Sequence, residues 1–155
     1  MTTPYFRIRA TAVIVRAGSV LLIEYHDENG IHYNLPGGGV EPNESIYEAL
    51  HREVWEEAVA KVTIERLLYV GEYDPNYLHY AFGPQRSLDF LFKCDLLPDC
   101  EPCLPEMPDP MQKAVRWVKI DQLQAVKLYM PGTPAMLIDA LNRPAHIDLF
   151  TLKYD

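Results

Sequence analysis

The sequence predicts a mixed-sheet α/β domain with helices on both faces of the sheet. Strand-like runs and helix-like segments interleave along the chain, and some of the strand-like runs are joined by hairpin turns. The length of 155 residues suits one domain, which we place at residues 1–155. Hydrophobic residues make up 48% of the chain and charged residues 23%, a composition that is typical of a folded globular protein.

The predicted strands are short runs rich in Val, Ile and Leu. They are Phe6–Val15, Val20–Tyr25, Ile31–Leu35, Val62–Val70, Leu88–Asp95 and Ala114–Ile120. The first two flank Arg16-Ala17-Gly18-Ser19 and predict a hairpin, and Asn29-Gly30 marks a second turn. Five prolines lie between Pro98 and Pro110 and predict a stiff surface loop.

The clearest predicted helix is Ser45–Ala58. Ser45 and Glu48 have the S-x-x-E spacing of a capping box at its start. Apolar residues then recur at helical spacing along one face, at Ile46, Leu50, Val54 and Ala58. A last helix is predicted from Thr133 to about residue 141, with Thr133 as its cap and Pro134 in its first turn.

The net charge of −8 is concentrated in one segment. Residues 27–57 contain eight acidic residues and one basic residue, while the rest of the chain has 13 basic and 14 acidic residues. An acidic chain does not attract long nucleic acid by charge, because neutralising phosphates requires clustered Lys and Arg. We therefore expect no long nucleic acid partner, and the acidic segment itself needs an explanation.

Other sequence features bear on the compartment. No apolar run is long enough to span a bilayer, and the first residues lack the apolar core of a signal peptide, so we expect no membrane association. The odd number of cysteines, three, does not suit a disulfide framework, so we expect a cytoplasmic protein. Cys100 and Cys103 form a CxxC, but too few further ligands are near in sequence to favour a zinc or redox role.

Three glutamates of the predicted helix project to one side. At 100° per residue, Glu53, Glu56 and Glu57 fall within an arc of about 100° beside the apolar stripe. Two such carboxylates about 5–6 Å apart repel by roughly 3 kcal/mol at an effective dielectric constant of 20. Either a cation compensates this repulsion or the side chains spread into water. Oxygen ligands without a His or Cys cluster favour Mg²⁺ or Mn²⁺.

The glycines Gly37–Gly39 precede this helix at a fixed spacing, and a glycine-rich turn allows a close approach of backbone to a phosphate or a metal. The segment reads Gly38, five residues, Glu44, seven residues, then Arg52-Glu53-Val54-Trp55-Glu56-Glu57. It resembles the Nudix box, G-x5-E-x7-R-E-U-x-E-E-x-G-U with U aliphatic. The resemblance implies a Nudix-type α/β/α sandwich, with a mixed β-sheet flanked by helices.

The resemblance also implies a function. Nudix hydrolases use Mg²⁺ or Mn²⁺ to hydrolyse a nucleoside diphosphate linked to a moiety X, such as ADP-ribose, a dinucleoside polyphosphate or a nucleoside triphosphate. The metal ligands implied here are Glu56, Glu57, Glu53 and a backbone carbonyl of the glycine loop at Gly38. Glu53 is either a ligand or the general base. Arg52 would orient the glutamates by ion pairing, with Glu44 as a further partner.

One departure concerns the last glycine of the box, where this chain has Val59. Glycine at that point supplies a left-handed cap that Val tolerates poorly. We expect the departure to affect the helix end and the segment to Val62, and to leave the ligands one turn earlier in place. It also keeps open a second hypothesis, a catalytically weak module that binds and senses nucleotides. A third is a solvated acidic helix with pairs such as Glu48–Arg52.

Substrate selection is predicted from residues outside the box. Arg7 and Arg9 alternate with Ile8 on the first strand, so they share a face and one of them is a candidate for a phosphate. The segment Glu72–Ser87 is rich in aromatic residues. Its candidates for stacking on a base or binding a phosphate are Tyr73, Tyr77 and Arg86. The alternative is that these aromatics pack the segment on the domain or on a second subunit, as in a homodimer.

Two further points stay open. Within the family, a proline or a tyrosine at this distance past the box is associated with different substrates, and Pro75 and Tyr77 here conflict. Candidates for a further base or metal ligand are Glu106, Asp109 and Asp89. We expect Asp89 to face solvent from its strand and Glu106 to be an ordinary loop residue.

Overall fold

A computed structural model describes residues 5–76 and 83–144 of the chain. Within these two ranges the elements, in chain order, are β1 (Arg7–Arg16), β2 (Ser19–Asp27), β3 (Gly30–Asn34), β4 (Gly37–Gly39), α1 (Ile46–Ala58), β5 (Val62–Tyr73), β6 (Ser87–Leu96), β7 (Gln112–Lys119), β8 (Leu128–Tyr129) and α2 (Pro134–Asn142). A 3-10 helix, Ile120–Ala125, lies between β7 and β8. Every strand and helix predicted from the sequence is present, with ends that differ by one to a few residues.

The strands form a mixed sheet in the order β5-β6-β1-β2-β3-β8. Strand β1 is central: it runs parallel to β6 over residues 7–14 on one edge, and antiparallel to β4 over residues 9–11 on the other. Strand β2 joins β1 only near their shared turn and then pairs with β7. Strands β1 and β2 therefore separate beyond their shared turn, and β4 pairs with β1 on the edge that β2 leaves free.

The predicted hairpin between β1 and β2 is present, and it has a two-residue turn. Ala17 and Gly18 both have positive φ, 49° and 77°. Two central residues with positive φ match the right-handed twist of the flanking strands, which is why short hairpins favour this turn. The turn fixes the register Val15↔Val20, so alternate residues of both strands reach the same face.

Side chains alternate between two apolar clusters, one on each face of the sheet. The cluster under α1 contains Ala10, Ala12, Ile14, Leu21, Ile23, Leu50, Val54 and Phe92. The cluster under α2 and the 3-10 helix contains Val13, Val20, Leu22, Leu91, Leu123 and Leu137. The mixed sheet with helices on both faces confirms the predicted fold class. No helix in the described ranges is long and apolar enough to cross a membrane.

Two short strands were not predicted. Strand β4 consists only of glycines, which have low strand propensity, and it forms because the edge of β1 offers free hydrogen-bonding groups. The pairing continues on both sides, from the Ala12 amide to the Pro36 carbonyl and from the Val40 amide to the Ile8 carbonyl. Strand β8 includes Tyr129 and pairs in parallel with the end of β3.

Candidate functional site

Helix α1 begins at a complete capping box. Ser45 is the N-cap, its hydroxyl accepts a hydrogen bond from the Glu48 amide, and the Glu48 carboxylate accepts one from the Ser45 amide. The buried side of the helix, including Leu50 and Val54, packs on β1 and β2. With this side of α1 packed on the sheet, Glu53 on the neighbouring side of the helix reaches Gly38 of β4. The capping box predicted from the sequence is thereby confirmed.

Arg52 is the centre of an ionic network on this edge. Its guanidinium donates two hydrogen bonds to Glu44, at 2.6 and 3.1 Å, and one to the backbone carbonyl of Gly39 at 2.9 Å. Its Nη1 also donates to Glu53 at 2.7 Å and to Glu56 at 3.3 Å. The Arg52 hydrogen bonds lower the pKa of Glu44. Arg52 therefore connects the loop after β4 to two successive turns of α1.

The solvated-helix hypothesis expected an ion pair between Glu48 and Arg52, and the structure has a different arrangement. The Glu48 carboxylate takes part in the capping box, while Arg52 contacts Glu44 and the Gly39 carbonyl of β4, the glycine strand Gly37–Gly39. Arg52 contacts three acidic side chains through a planar, multidentate group, which a solvated surface pair does not do. The arrangement is that of a site whose carboxylates are held in place.

Glu53 packs directly against the glycine strand. A Cβ built on Gly38 would overlap the Glu53 carboxylate, so only glycine allows this approach. Burial raises the pKa of Glu53, and the Arg52 hydrogen bond and charge oppose that rise. The side chain is 14% exposed, so this carboxylate is partly desolvated but open on one side.

Glu57 is the most deeply buried of the three carboxylates. Burial raises its pKa well above the ordinary value, the charges of Glu53 and Asp109 add to the rise, and the Arg9 charge opposes it. The Gly37 backbone donates to this carboxylate, while its Oε2 is buried without a hydrogen-bond partner among the described residues. A buried carboxylate oxygen with no donor is costly unless a cation compensates it.

Glu56 points outward, with its side chain 55% exposed, and its contact in the network is the hydrogen bond from Arg52. In the two described ranges, no three His, Cys, Asp or Glu side chains are already arranged around one metal position. The donor set nevertheless fits a hard divalent cation: the donors are carboxylate oxygens, and Glu57 Oε2 has no hydrogen-bond partner within residues 5–76 and 83–144. We therefore treat this edge of α1 as a candidate site for Mg²⁺ or Mn²⁺.

The two arginines of β1 lie next to this site. Arg9 is opposite Gly39 in the β1–β4 register, and a Cβ built on Gly39 would overlap the Arg7 guanidinium. Arg7 and Arg9 therefore project from the same face of β1, as their alternation with Ile8 predicts. That face is opposite to the one that carries α1, and it borders the glycine strand.

The aromatic segment after β5 is described in part. Tyr77 lies outside the described residues. Tyr73 is 1% exposed and its hydroxyl donates to the Gly83 carbonyl at 2.7 Å, so it packs inside the domain, as the alternative to ligand stacking proposed. Arg86 pairs with Glu72, and its guanidinium lies 4.9 Å from the Phe6 ring centroid at the surface.

The structure corrects the expectation for Asp89. Instead of facing solvent it is 2% exposed, because it lies on the inner face of β6 opposite Arg9 in the parallel register. Its Oδ1 accepts a hydrogen bond from the Thr11 hydroxyl at 2.7 Å, and its Oδ2 lies 3.5 Å from Arg9 Nε. Burial raises the pKa of Asp89, and the charge of Arg9 opposes that rise.

Sequence reasoning missed two residues near the site. Gln112 is 2% exposed, and its side-chain Nε2 donates a hydrogen bond to the Glu57 backbone carbonyl at 2.7 Å. Its backbone N–H donates to the Asp109 backbone carbonyl. This contact ties the loop that carries Asp109 to α1. Thr11 binds Asp89 from the strand that carries both arginines. Strand alternation places Thr11 with Arg7 and Arg9, whereas no sequence signal marks Gln112.

Comparisons with known proteins identify the family of this chain. A family model described as "NUDIX domain" matches residues 6–138. The nucleoside triphosphatase NudI of Escherichia fergusonii is 32% identical over 92 residues, 57% of this chain and 63% of that protein. The human 8-oxo-dGDP phosphatase NUDT18 is 48% identical over 48 residues, 31% of this chain and 15% of that protein. The chain spans less than two thirds of the length of each curated relative that it matches.

A solved structure gives the same fold. The NUDIX hydrolase from Nitrosomonas europaea superposes with a TM-score of 0.70 and 26% identity, covering 87% of this chain and 88% of that one. The match over residues 6–138 assigns the class: the chain belongs to the NUDIX family. It is a member of the Nudix hydrolase family, and the acidic edge of α1 lies within the matched residues.

Proposed function

We propose that this chain is a divalent-metal-dependent hydrolase of the diphosphate linkage in small nucleotide-type substrates. The observation that carries the proposal is that Glu53 is partly desolvated at the edge of α1, while Glu57 Oε2 is buried there without a hydrogen-bond partner in the described part of the chain. Both carboxylates lie beside β4, whose glycines have no side chains and so allow the carboxylates to approach the backbone closely. Negative charge of this density suits a cation that bridges to phosphate oxygens.

The residues divide into three roles. Glu56 and Glu57 would be the principal ligands of Mg²⁺ or Mn²⁺, with the Gly38 carbonyl and Glu53 completing the protein's share. Such an ion would lower the pKa of a bound water and neutralise charge on the phosphoryl oxygens. Glu53 would be a ligand or the proton acceptor, and burial raises its pKa, which makes the carboxylate a better proton acceptor.

Arg52 and Glu44 act through the other carboxylates. The five donors of the guanidinium hold Glu44, Glu53 and Glu56 relative to the Gly39 carbonyl, so the glutamates keep their spacing without a large entropic loss. Arg7 and Arg9 would bind a substrate phosphate; their position beside Gly39 of β4 supports this role. Contacts within the chain support these roles, which do not depend on the identity of the moiety X.

A substrate panel tests the proposal. It contains ADP-ribose, dinucleoside polyphosphates, sugar nucleotides and (deoxy)nucleoside triphosphates, together with 8-oxo-dGDP because relatives are named for such nucleotides. We expect Mg²⁺-dependent release of a nucleoside monophosphate or of phosphate from at least one member, measured by chromatography. Glu56→Gln and Glu57→Gln should reduce turnover strongly.

The matched control is Glu101→Gln, a change of an exposed glutamate that pairs with Arg16 away from the site. It should retain turnover. Equal turnover by wild type and Glu57→Gln would show that the ligand assignment is wrong. Saturable nucleotide binding without any hydrolysis in Mg²⁺ or Mn²⁺ would favour the nucleotide-sensing hypothesis instead.

A further inference from the structure

Tyr25 lies at a change of register between β2 and β7. The pairing skips Lys113, so that Tyr25 is opposite Gln112. An extra residue of this kind is a β-bulge, which re-aims the side chains beside it and is common next to active sites. Here the Gln112 side chain is directed to α1, where it donates to the Glu57 backbone carbonyl. The bulge therefore places Tyr25 next to the residue that holds the Glu57 end of α1.

Aromatic neighbours hold the Tyr25 ring in place. His32 is opposite Tyr25 in the β2–β3 register, and their rings stack with centroids 5.5 Å apart and an angle of 10° between their planes. The His32 ring also contacts the Tyr129 ring, with centroids 4.7 Å apart. Tyr25 packs in addition against the apolar cluster under α1. These contacts fix the ring, and with it the hydroxyl, on the side of the sheet that carries α1.

The Tyr25 hydroxyl makes no hydrogen bond within the described part of the chain. The tyrosine of the neighbouring strand β3 differs, because the Tyr33 hydroxyl donates to the Glu24 carboxylate at 3.1 Å. A polar group that a fold partly buries is normally paired, since leaving it unpaired costs free energy. Tyr25 is half-buried and keeps some contact with solvent. Its hydroxyl is thus a fixed donor that is not used inside the fold.

The charge around this hydroxyl is mainly negative. Burial raises the pKa of Tyr25, and the charges of Glu57 and Asp109 add to the rise. The Arg9 charge opposes it, and the Glu53 charge adds a smaller rise. Tyr25 therefore keeps its proton and stays a donor. Glu57 Oε2 is an acceptor without a partner in the same two ranges, and the two groups do not bond each other.

We infer that the Tyr25 hydroxyl donates a hydrogen bond to a phosphoryl oxygen of the substrate diphosphate, next to the cation site at Glu57. A phosphoryl oxygen accepts from a hydroxyl and is attracted to a cation held by carboxylates, so it suits both unpaired groups. A neutral donor is favoured here, because a Lys or Arg would pair with Glu57 and Asp109 and compete with the cation. The inference rests on the proposed function, since it assumes a diphosphate substrate.

Tyr25→Phe tests the inference, because it removes only the hydroxyl and keeps the ring that stacks on His32. The probe is α,β-methylene-ADP in the presence of Mg²⁺, with binding measured by calorimetry. We expect Tyr25→Phe to weaken probe binding about tenfold, the scale of one hydrogen bond to a charged acceptor. Binding of Mg²⁺ alone should stay within about twofold of wild type, because the hydroxyl is assigned to the diphosphate and not to the cation.

Tyr33→Phe is the matched control, the same change on the neighbouring strand. Tyr33 packs in the cluster under α2, and its hydroxyl donates to Glu24. This variant should bind the probe within about twofold of wild type. On the substrate found by the panel, Tyr25→Phe should lower kcat/KM about tenfold, and Tyr33→Phe should leave it within about twofold of wild type.

Thermal unfolding of the ligand-free proteins should give the opposite order. Tyr33→Phe loses a hydrogen bond to a carboxylate, so its Tm should fall. Tyr25→Phe loses no hydrogen bond in the ligand-free protein, so its Tm should stay equal to that of wild type or rise. A residue with a purely structural role would not combine weaker probe binding with an unchanged Tm.

The outcomes also separate this inference from the proposed function. Unchanged probe binding in Tyr25→Phe, or an equal loss of Mg²⁺ binding without the probe, overturns the inference even if the wild type hydrolyses its substrate. A Tm of Tyr25→Phe that falls as far as that of Tyr33→Phe also overturns it, because the hydroxyl would then have a partner, such as an ordered water, in the ligand-free protein.

Absence of turnover in the wild type overturns the proposed function, while the probe titration still decides the role of Tyr25. A wild-type protein that does not bind the probe overturns the inference, and the panel then decides the hydrolase activity separately.

Discussion

Glu57 shows at the level of one residue why we propose a cation at this site. Its carboxylate is buried beside Glu53 and Asp109, which disfavours the charged form, and it receives a hydrogen bond from the Gly37 backbone. We expect an uncharged side chain at this position to be more favourable for folding. A group that destabilises the protein in this way is characteristic of a functional site.

The raised pKa of Glu57 predicts a pH-dependent stability. An acid whose folded-state pKa lies above its unfolded value is more protonated when folded, so stability falls as pH rises from about 4.5 through the raised pKa. Without metal, we expect the free energy of unfolding to decrease over this range, and Mg²⁺ to offset the decrease because binding needs the deprotonated form. Denaturant unfolding at several pH values measures both effects.

The comparison is between Glu57→Gln and Glu56→Gln. Glu57→Gln removes the buried titrating group and should flatten the decrease, whereas Glu56→Gln, a change at a side chain that is 55% exposed, should keep it. The same slope in the wild type and in Glu57→Gln would contradict the assignment of this carboxylate as the buried, cation-dependent group.

Helix α1 shows at the level of an element how an unfavourable residue is accommodated. The helix ends at Ala58, and Val59 adopts the left-handed conformation, with φ 47° and ψ 44°. The chain thus keeps the helix end that a glycine would provide. The Ala58 carbonyl accepts a hydrogen bond from the Cys103 amide, and Cys100 Sγ accepts one from the Lys61 amide, so the proline-rich loop supports this end.

Val59→Gly is expected to stabilise the protein by about 1 kcal/mol. A left-handed residue with a Cβ costs roughly 1–2 kcal/mol, and the greater freedom of glycine in the unfolded chain cancels part of the gain. Thermal or denaturant unfolding gives the difference. Val59→Ala keeps a Cβ and should gain less; if it gains as much as Val59→Gly, the strain does not arise from the left-handed conformation.

The whole molecule divides its core between two faces, and only one of them supports the acidic helix. Leu50 and Leu137 are both fully buried, the first under α1 and the second under α2. We expect Leu50→Ala and Leu137→Ala each to lower the free energy of unfolding by about 2–5 kcal/mol. Leu50→Ala should also weaken Mg²⁺ binding, because it loosens the helix that carries the glutamates.

The matched pair is informative because the two leucines have the same burial. Calorimetric titration with Mg²⁺ under folded conditions measures the binding difference. If Leu137→Ala weakens Mg²⁺ binding as much as Leu50→Ala does, the site depends on overall stability and not on the position of α1.

The sequence was most informative where a local rule determines the structure. Ser45 and Glu48 predicted the helix start, and the turn at Ala17-Gly18 predicted the first hairpin, because capping and turn geometry depend on neighbouring residues. The carboxylate arc likewise follows from helical periodicity. In each case the interacting groups are close along the chain.

Long-range pairing could not be derived in the same way. Asp89 was expected at the surface because alternation gives the faces of a strand but not which face is covered; the parallel pairing of β6 with β1 decides it. Gln112 reaches Glu57 across 55 positions of sequence. Strand β4 depends on the free edge of β1 and not on its own glycines.

The dependence of turnover on Mg²⁺ concentration tests the central claim most directly. The initial rate of product release from the panel's best substrate is measured as Mg²⁺ is added to metal-free wild type, Glu57→Gln and Glu101→Gln. We predict saturable activation of the wild type and of Glu101→Gln, and an activation curve for Glu57→Gln shifted at least about tenfold to higher Mg²⁺ with a lower maximum. Superimposable curves for wild type and Glu57→Gln, or full activity without any divalent cation, would contradict a metal-dependent hydrolase centred on α1.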